Sequence, residues 1–237
     1  MTQYFNNVYI KDYYSLLGRN KHKITINADK VLNDYYNGEK SVELGEISYM
    51  ILSINGLLNK DNISEKDIDL CINSDLQNQM LSSNYSMRKF DIPTIAHYSA
   101  CASFAGNLIL ASNFVNNGLK NILVNVSSHN LSSEKQFRYP IEYGSIRKYV
   151  NTFTASGCVS TLVSNEKSKI KVESATVGKV IDIGYDDANN FGACMAPSAA
   201  ETIYNHLLDT KRDIKYYDLV LTGDLGVYGL KIKGILI

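Results

Sequence analysis

The amino-acid sequence predicts an α/β fold, and three observations carry that expectation. Apolar runs of strand length alternate along the chain with stretches of helical spacing. Several of the runs, such as Ile68–Asn73 and Asn121–Val126, are almost continuously apolar, as in strands of a parallel sheet covered on both faces. One strand-and-turn octapeptide also recurs. Asp69-Leu70-Cys71-Ile72-Asn73-Ser74-Asp75-Leu76 matches Asp218-Leu219-Val220-Leu221-Thr222-Gly223-Asp224-Leu225 in pattern, 149 positions later (218 − 69). A duplicated βα half, a largely parallel sheet and helices on both faces are expected.

The elements follow in order. Residues 1–40 are polar and Tyr-rich, an irregular arm with a short strand at Asn7–Ile10. From Val42 the positions Gly45, Glu46, Tyr49, Met50, Ser53 and Leu57 recur with helical spacing to about Asn59. Ser64–Asp67 reads as a turn or a short helical start, Ile68–Asn73 as a strand, and Gln77–Phe90 as a second helix ending before Pro93. Thr94–Tyr98 is a short buried strand. Cys101–Asn116 is a helix closed by Asn117-Gly118. Asn121–Val126 is a strand, Ser127–Asn151 a long polar and aromatic loop, and Cys158–Ser164 and Ile170–Val180 further strands. Pro197–Thr210 is a helix opened by its proline, and Asp218–Thr222 a last strand. Ile92–Leu119 lacks charge, but Pro93, His97, Asn107 and Asn113 interrupt it, so it reads as strand plus helix rather than a membrane span.

Composition narrows the function classes. The chain has 237 residues, with 24 Lys plus Arg against 24 Asp plus Glu, which disfavours a basic nucleic-acid surface. Hydrophobic residues at 45% are enough for a packed core. Cys71, Cys101, Cys158 and Cys194 are widely spaced, without a CxxC or a zinc-type cluster, so free thiols in a reducing compartment and no metal are expected. No GxGxxG, Walker A or GxSxG motif is present, and no cofactor is expected.

Cys101 is the sharpest chemical candidate. It follows a strand and opens an apolar helix, where unpaired N–H groups stabilise a thiolate or a bound anion. The alternative is a small buried core thiol, the reading that packing favours for Cys71, Cys158 and Cys194. Ser128 and His129 follow the Asn121–Val126 strand, on the side where open α/β sheets gather ligands. His129 is a base, an anion donor or a plain loop histidine. His97, in the preceding strand, reads as a satisfied core residue, and His22 and His206 as surface positions. Arg138 can clamp a carboxylate or join ion pairs within its loop. Lys179 and Asp182 close a strand, and either bind substrate or pair with each other.

Several longer motifs add a resemblance. Cys101 at a helix start, the duplicated half and the long loop resemble the thiolase and ketoacyl synthase fold. Ser127-Ser128-His129-Asn130 with Glu134-Lys135-Gln136-Phe137-Arg138-Tyr139-Pro140-Ile141-Glu142-Tyr143-Gly144 is similar to the stage V sporulation protein AD family. So are Ala175–Asp182, Asn189-Asn190-Phe191-Gly192-Ala193-Cys194-Met195-Ala196-Pro197, Thr222–Gly226 and Asp34–Glu39, over about residues 8–229.

The resemblance implies a thiolase-like, layered α-β-α-β-α fold with its first half complete and its second half truncated. Residues 1–40 would be an arm, 41–180 the first half, and 181–237 the start of the second. It implies a non-enzymatic sporulation protein that binds dipicolinic acid during uptake into the developing spore. Cys101, Ser128, His129, Arg138, Lys179 and Asp182 are the ligand-binding candidates. The implied partners are membrane proteins of the same channel complex, with peripheral association at the spore inner membrane from the cytoplasmic or forespore side. A homodimer formed through Asn121–Val126 is also implied. Two other readings stay open, an acyltransferase with Cys101 as nucleophile and an inactive truncated fragment. Ala102 and Ser103 stand where the family more often has Ser and Thr.

Overall fold

The structure is a computed structural model and describes residues 1–18, 27–138, 146, 148–152, 154–187 and 189–236. His22 and the motif residues Tyr139, Pro140, Ile141, Glu142, Tyr143 and Gly144 lie outside the described residues. The strands are β1 (Thr2–Tyr4), β2 (Tyr9–Leu17), β3 (Lys30–Val31), β4 (Leu70–Ser74), β5 (Thr94–Ala96), β6 (Asn121–Ser128), β7 (Gly157–Ser164), β8 (Ile170–Lys171) and β9 (Ser174–Thr176). The helices are α1 (Val42–Asp61), α2 (Leu81–Ser86), α3 (Ser103–Asn116), α4 (Phe191–Thr210) and α5 (Gly226–Leu236).

The chain divides into two compact units. One comprises Phe5–Glu134 and Thr154–Glu173, and the other Met1–Tyr4, Lys135–Phe153 and Ser174–Ile237.

The larger unit holds one sheet in the order β3-β2-β7-β6-β4-β5, with β8 added beside β2. Strands β5, β4 and β6 run parallel, whereas β7 is antiparallel to both β6 and β2. The sheet is thus mixed rather than largely parallel. β4 is buried along its whole length, as its apolar run requires. Side chains alternate across it. Cys71 joins the core with Ile54, Leu57 and Leu58 of α1, Leu123 and Leu162. On the other face Asn107 of α3 bonds Ser74 Oγ and the Ile72 carbonyl.

Three sequence expectations about secondary structure change in this unit. The supposed arm contains β2, a nine-residue strand paired along β7. Its apolar pattern is hidden because Lys11 and Asp12 sit beside a register shift, and Lys11 pairs with Asp61 and Glu166. The second helix is broken: Gln79 and Met80 take left-handed φ values of 57° and 56°, so only Leu81–Ser86 is α-helical. β5 is an exposed edge strand, since among the described residues only β4 pairs with it. β6 lies between β4 and β7, with both of its edges bonded.

In the smaller unit β1 pairs with β9. α4 begins at Phe191, well before Pro197, because the Asn190 side chain accepts from the Ala193 N–H and caps it. The strand expected over Ile170–Val180 is only β8 and β9, and residues 177–187 are irregular. Residues 218–222 form no strand, although their sequence matches β4.

Candidate functional site

Because β4, β5 and β6 are parallel, their carboxyl ends open at one edge of the sheet, and the loops after them meet there. These loops are residues 75–80, 97–102 and 129–134. Among the described residues, three of the six non-glycine residues with positive φ occur in them: Gln79, Met80 and Ala100, the last at 46°. None is Asn, Asp or His, the non-glycine residues enriched in this conformation. Such strain persists only where surrounding contacts enforce it, and it clusters at functional sites.

Those contacts radiate from Glu46, on the sheet-facing side of α1 and fully buried. Its Oε1 accepts from Ser127 Oγ at 2.8 Å. Its Oε2 accepts from Gln77 Nε2 and from Ser132 Oγ, both at 2.6 Å. One carboxylate therefore ties the loop after β4 to the end of β6 and the loop beyond it. Burial pushes the Glu46 carboxyl above its ordinary value, opposed by the three hydrogen bonds. Asp75, also buried, accepts the Gln77 and Ser83 N–H groups at 2.8 and 2.6 Å. The Glu134 N–H donates to the Leu76 carbonyl, joining the first and third loops again. Glu46 carried a sequence signal: it is a carboxylate on the apolar stripe that contains Tyr49, Met50 and Ser53.

The middle loop is fixed from below. Ser74 Oγ donates to the His97 carbonyl at 2.5 Å. The buried Asn107 gives its amide protons to Ser74 Oγ and the Ile72 carbonyl, so its Oδ1 accepts from His97 Nδ1 at 2.8 Å. The His97 ring lies so close over Gly106 that an added Cβ would stand 2.6 Å from its Cε1.

Cys101 sits in the 3₁₀ turn Ala100–Ala102, immediately before α3, and is exposed. Ala102, the N-cap of α3, offers no side-chain acceptor. The neighbouring Tyr98 phenol is raised by burial and, to a lesser extent, by the Glu134 and Cys101 charges. Cys71 and Cys158 are core thiols, raised by burial, whereas Cys194 is exposed rather than packed.

The other candidates are placed as follows. Ser128 Oγ donates to the Ala155 carbonyl at 2.6 Å. His129 is fully buried, with Nε2 bonding the Tyr35 carbonyl at 2.9 Å and Nδ1 accepting from the Leu131 N–H at 3.2 Å. Burial lowers its pKa, and the neutral ring with both nitrogens occupied braces the loop. Arg138 follows the 3₁₀ turn Lys135–Phe137, its N–H bonded to the Lys135 carbonyl. Lys179 pairs with Glu201 at 2.8 Å rather than with Asp182. Asp182 accepts from the Gly184 N–H in a tight turn. Cys101, Ser128 and His129 belong to the larger unit, and Arg138, Lys179 and Asp182 to the smaller. His206, expected at the surface, is half-buried between Thr176 and Tyr217. Among the described residues no group of three or more His, Cys, Asp or Glu could hold a metal ion.

Comparison with known proteins adds the following. A family model described as stage V sporulation protein AD matches residues 2–237. Stage V sporulation protein AD of Bacillus subtilis (strain 168) is 40% identical over 205 residues, which are 86% of this chain and 61% of the relative. The chain therefore spans less than two thirds of that relative's length. Among solved structures, cerulenin-bound OleA of Xanthomonas campestris superposes with a TM-score of 0.68 at 10% identity, over 99% of this chain and 82% of the other. A 3-oxoacyl-(acyl-carrier-protein) synthase III gives 0.61 at 12% identity, over 98% and 82%. Germicidin synthase of Streptomyces coelicolor, a type III polyketide synthase, gives 0.58 at 14% identity, over 81% and 56%. At these identities the likeness concerns the fold alone, which is thiolase-like.

Proposed function

The chain belongs to the stage V sporulation protein AD family, and from that premise we propose that it is a ligand-binding component of spore dipicolinate uptake, acting without covalent catalysis. Its place in sporulation follows from the family. The ligand is our inference. Dipicolinate is a planar ring with two carboxylates, and it needs converging hydrogen-bond donors on a rigid frame. The observation that carries the reading is the loop cluster of the larger unit, strained at Gln79, Met80 and Ala100 and braced by Glu46 after β4 and β6 and by Ser74 and Asn107 after β5, which presents Cys101 and the uncapped start of α3. In the larger unit Ser128 and His129 orient the loops beside Cys101; in the smaller unit Arg138 and Lys179 are separate cationic candidates for a carboxylate, with Asp182 in the same unit.

No helix among the described residues is long and apolar enough to cross a membrane. The reading therefore assigns the chain to the membrane periphery, beside the membrane proteins of the uptake complex. Isothermal titration with dipicolinate is the direct test. Saturable heat, diminished in Arg138→Ala and Lys179→Ala, is expected; a flat titration at millimolar ligand would overturn the assignment.

The exposure of Cys101 favours one second reading, acyl transfer from an acyl thioester to its thiolate. Intact mass after incubation with an acyl-CoA separates the two. An added acyl group that disappears in Cys101→Ala would replace the binding role with a catalytic one.

A further inference from the structure

His97 and His129 open the second and third of the loops at the carboxyl ends of the parallel strands, and their rings are wired in opposite senses. At His129 the Leu131 N–H can only donate, so Nδ1 carries the lone pair and Nε2 the proton, given to the Tyr35 carbonyl. Both nitrogens are used, and a second proton would have to displace the bond at Nδ1. At His97 the order is reversed. The Ile72 carbonyl can only accept, so it fixes the Asn107 side chain with its nitrogen inward and its Oδ1 toward the ring. Nδ1 of His97 therefore holds the proton and Nε2 the lone pair. Nε2 bonds no group among the described residues, and it is open to solvent on a half-buried side chain. Expected as a satisfied core residue, His97 is satisfied at one ring nitrogen only. The residue is also held in place. Its N–H donates to the Asn73 carbonyl at 2.9 Å, its carbonyl accepts from Ser74 Oγ, and its ring rests against Gly106, where an added Cβ would collide with Cε1.

We propose that His97 Nε2 is the proton-taking group of the candidate site, and that a carboxylate-bearing ligand is bound there together with a proton. The proposal rests on the ligand-binding reading of this site and adds how the site is regulated. A bare nitrogen lone pair repels a carboxylate oxygen, whereas the same nitrogen, once protonated, gives that oxygen a charge-assisted hydrogen bond. Protonation at Nε2 breaks nothing, because Nδ1 keeps its proton and its bond to Asn107. His129 lacks this freedom, since its Nδ1 already accepts from Leu131. The groups packed against His97 from other elements are neutral: Gly106 and Asn107 from α3, and Asn73 and Ser74 from β4. In its own loop the titratable side chains are Tyr98 and Cys101, and the Glu134 and Asp75 charges act on Tyr98. No carboxylate among the described residues pairs with the ring, so the carboxylate that favours the imidazolium is the ligand's own.

The test is calorimetry of the full chain with dipicolinate at about pH 7.5, where a free carboxylic acid is fully ionised, in two buffers of different ionisation enthalpy. Uptake of about half to one proton per ligand is expected, so that affinity falls about three- to tenfold per pH unit. His97→Gln should bind with uptake near zero and with little dependence on pH. Ring-nitrogen NMR of the unaltered chain needs no variant. It should show His97 protonated at Nδ1 alone in the free protein, and at Nε2 as well when ligand saturates. Binding without proton uptake, uptake that survives in His97→Gln, or a free ring protonated at Nε2 instead of Nδ1 would overturn the proposal and leave the ligand reading in place. A flat titration in both buffers would overturn that reading, and the proposal with it.

Discussion

A buried carboxylate without a cation is expensive unless neutral donors satisfy it, and Glu46 is held by three of them. Its folded-state pKa lies above the unfolded value because burial outweighs those bonds, with the Asp75 charge acting in the same direction. The folded protein thus binds the Glu46 proton more tightly. This contribution to stability is fully present below the unfolded pKa, declines as pH rises through the interval up to the folded pKa, and is flat above it. Glu46→Gln should flatten that dependence in denaturant titrations between mildly acidic and neutral pH. Glu46→Ala should destabilise at neutral pH by about 1–3 kcal/mol or more, since it orphans buried donors from Ser127, Ser132 and Gln77. His129 acts in the opposite sense. Its lowered pKa contributes stability that is present above the unfolded histidine value and is lost as pH falls through that value toward the folded one. Thiol accessibility gives an independent check: alkylation of the native chain, mapped by peptide mass, should modify Cys101 and Cys194 while Cys71 and Cys158 stay protected until denaturation.

At the scale of elements, helix α1 decides how the sheet is covered. Its Gly56 admits the Tyr14 ring of β2 so closely that an added Cβ would stand 2.6 Å from ring atoms. Gly56→Ala should therefore cost about 1–3 kcal/mol through overpacking, despite the better helix propensity of alanine, as a shift of the denaturation midpoint would show. Much at this scale was legible in the sequence. The apolar runs of β4, β6 and β7, the stripe of α1 and the Asn117-Gly118 stop of α3 all lie where their patterns place them. The misses have local causes. β2 was obscured by polar side chains whose partners, Asp61 and Glu166, come from elsewhere in the chain. The break at Gln79 and Met80 opposes intrinsic preference, and the loop that contains it is held by the bond from the Gln77 side chain to Glu46, 31 positions away, which no short window contains. In the candidate site, Cys101 at its turn was readable from spacing. The occupation of both His129 nitrogens was not, since Tyr35 lies 94 positions away.

For the molecule as a whole, the two copies of the repeat compare the same local sequence in two settings. Native-state hydrogen exchange should show slow amides over Leu70–Ser74 and fast ones over residues 219–223, since only the former have ladder partners. Equal protection in both would mean that the second copy already has a strand partner. By itself the sequence determined the helix, the cap, the left-handed stop, the 3₁₀ turn and the Asx turn, each at a constant offset, because each closes its hydrogen bonds within a few residues. Only the tertiary structure decided which copy contains a strand. A strand's backbone groups have no partners within their own segment. Leu70–Ser74 obtains them from β5 and β6, and residues 219–223, strand-like in sequence pattern, pair with no strand among the described residues.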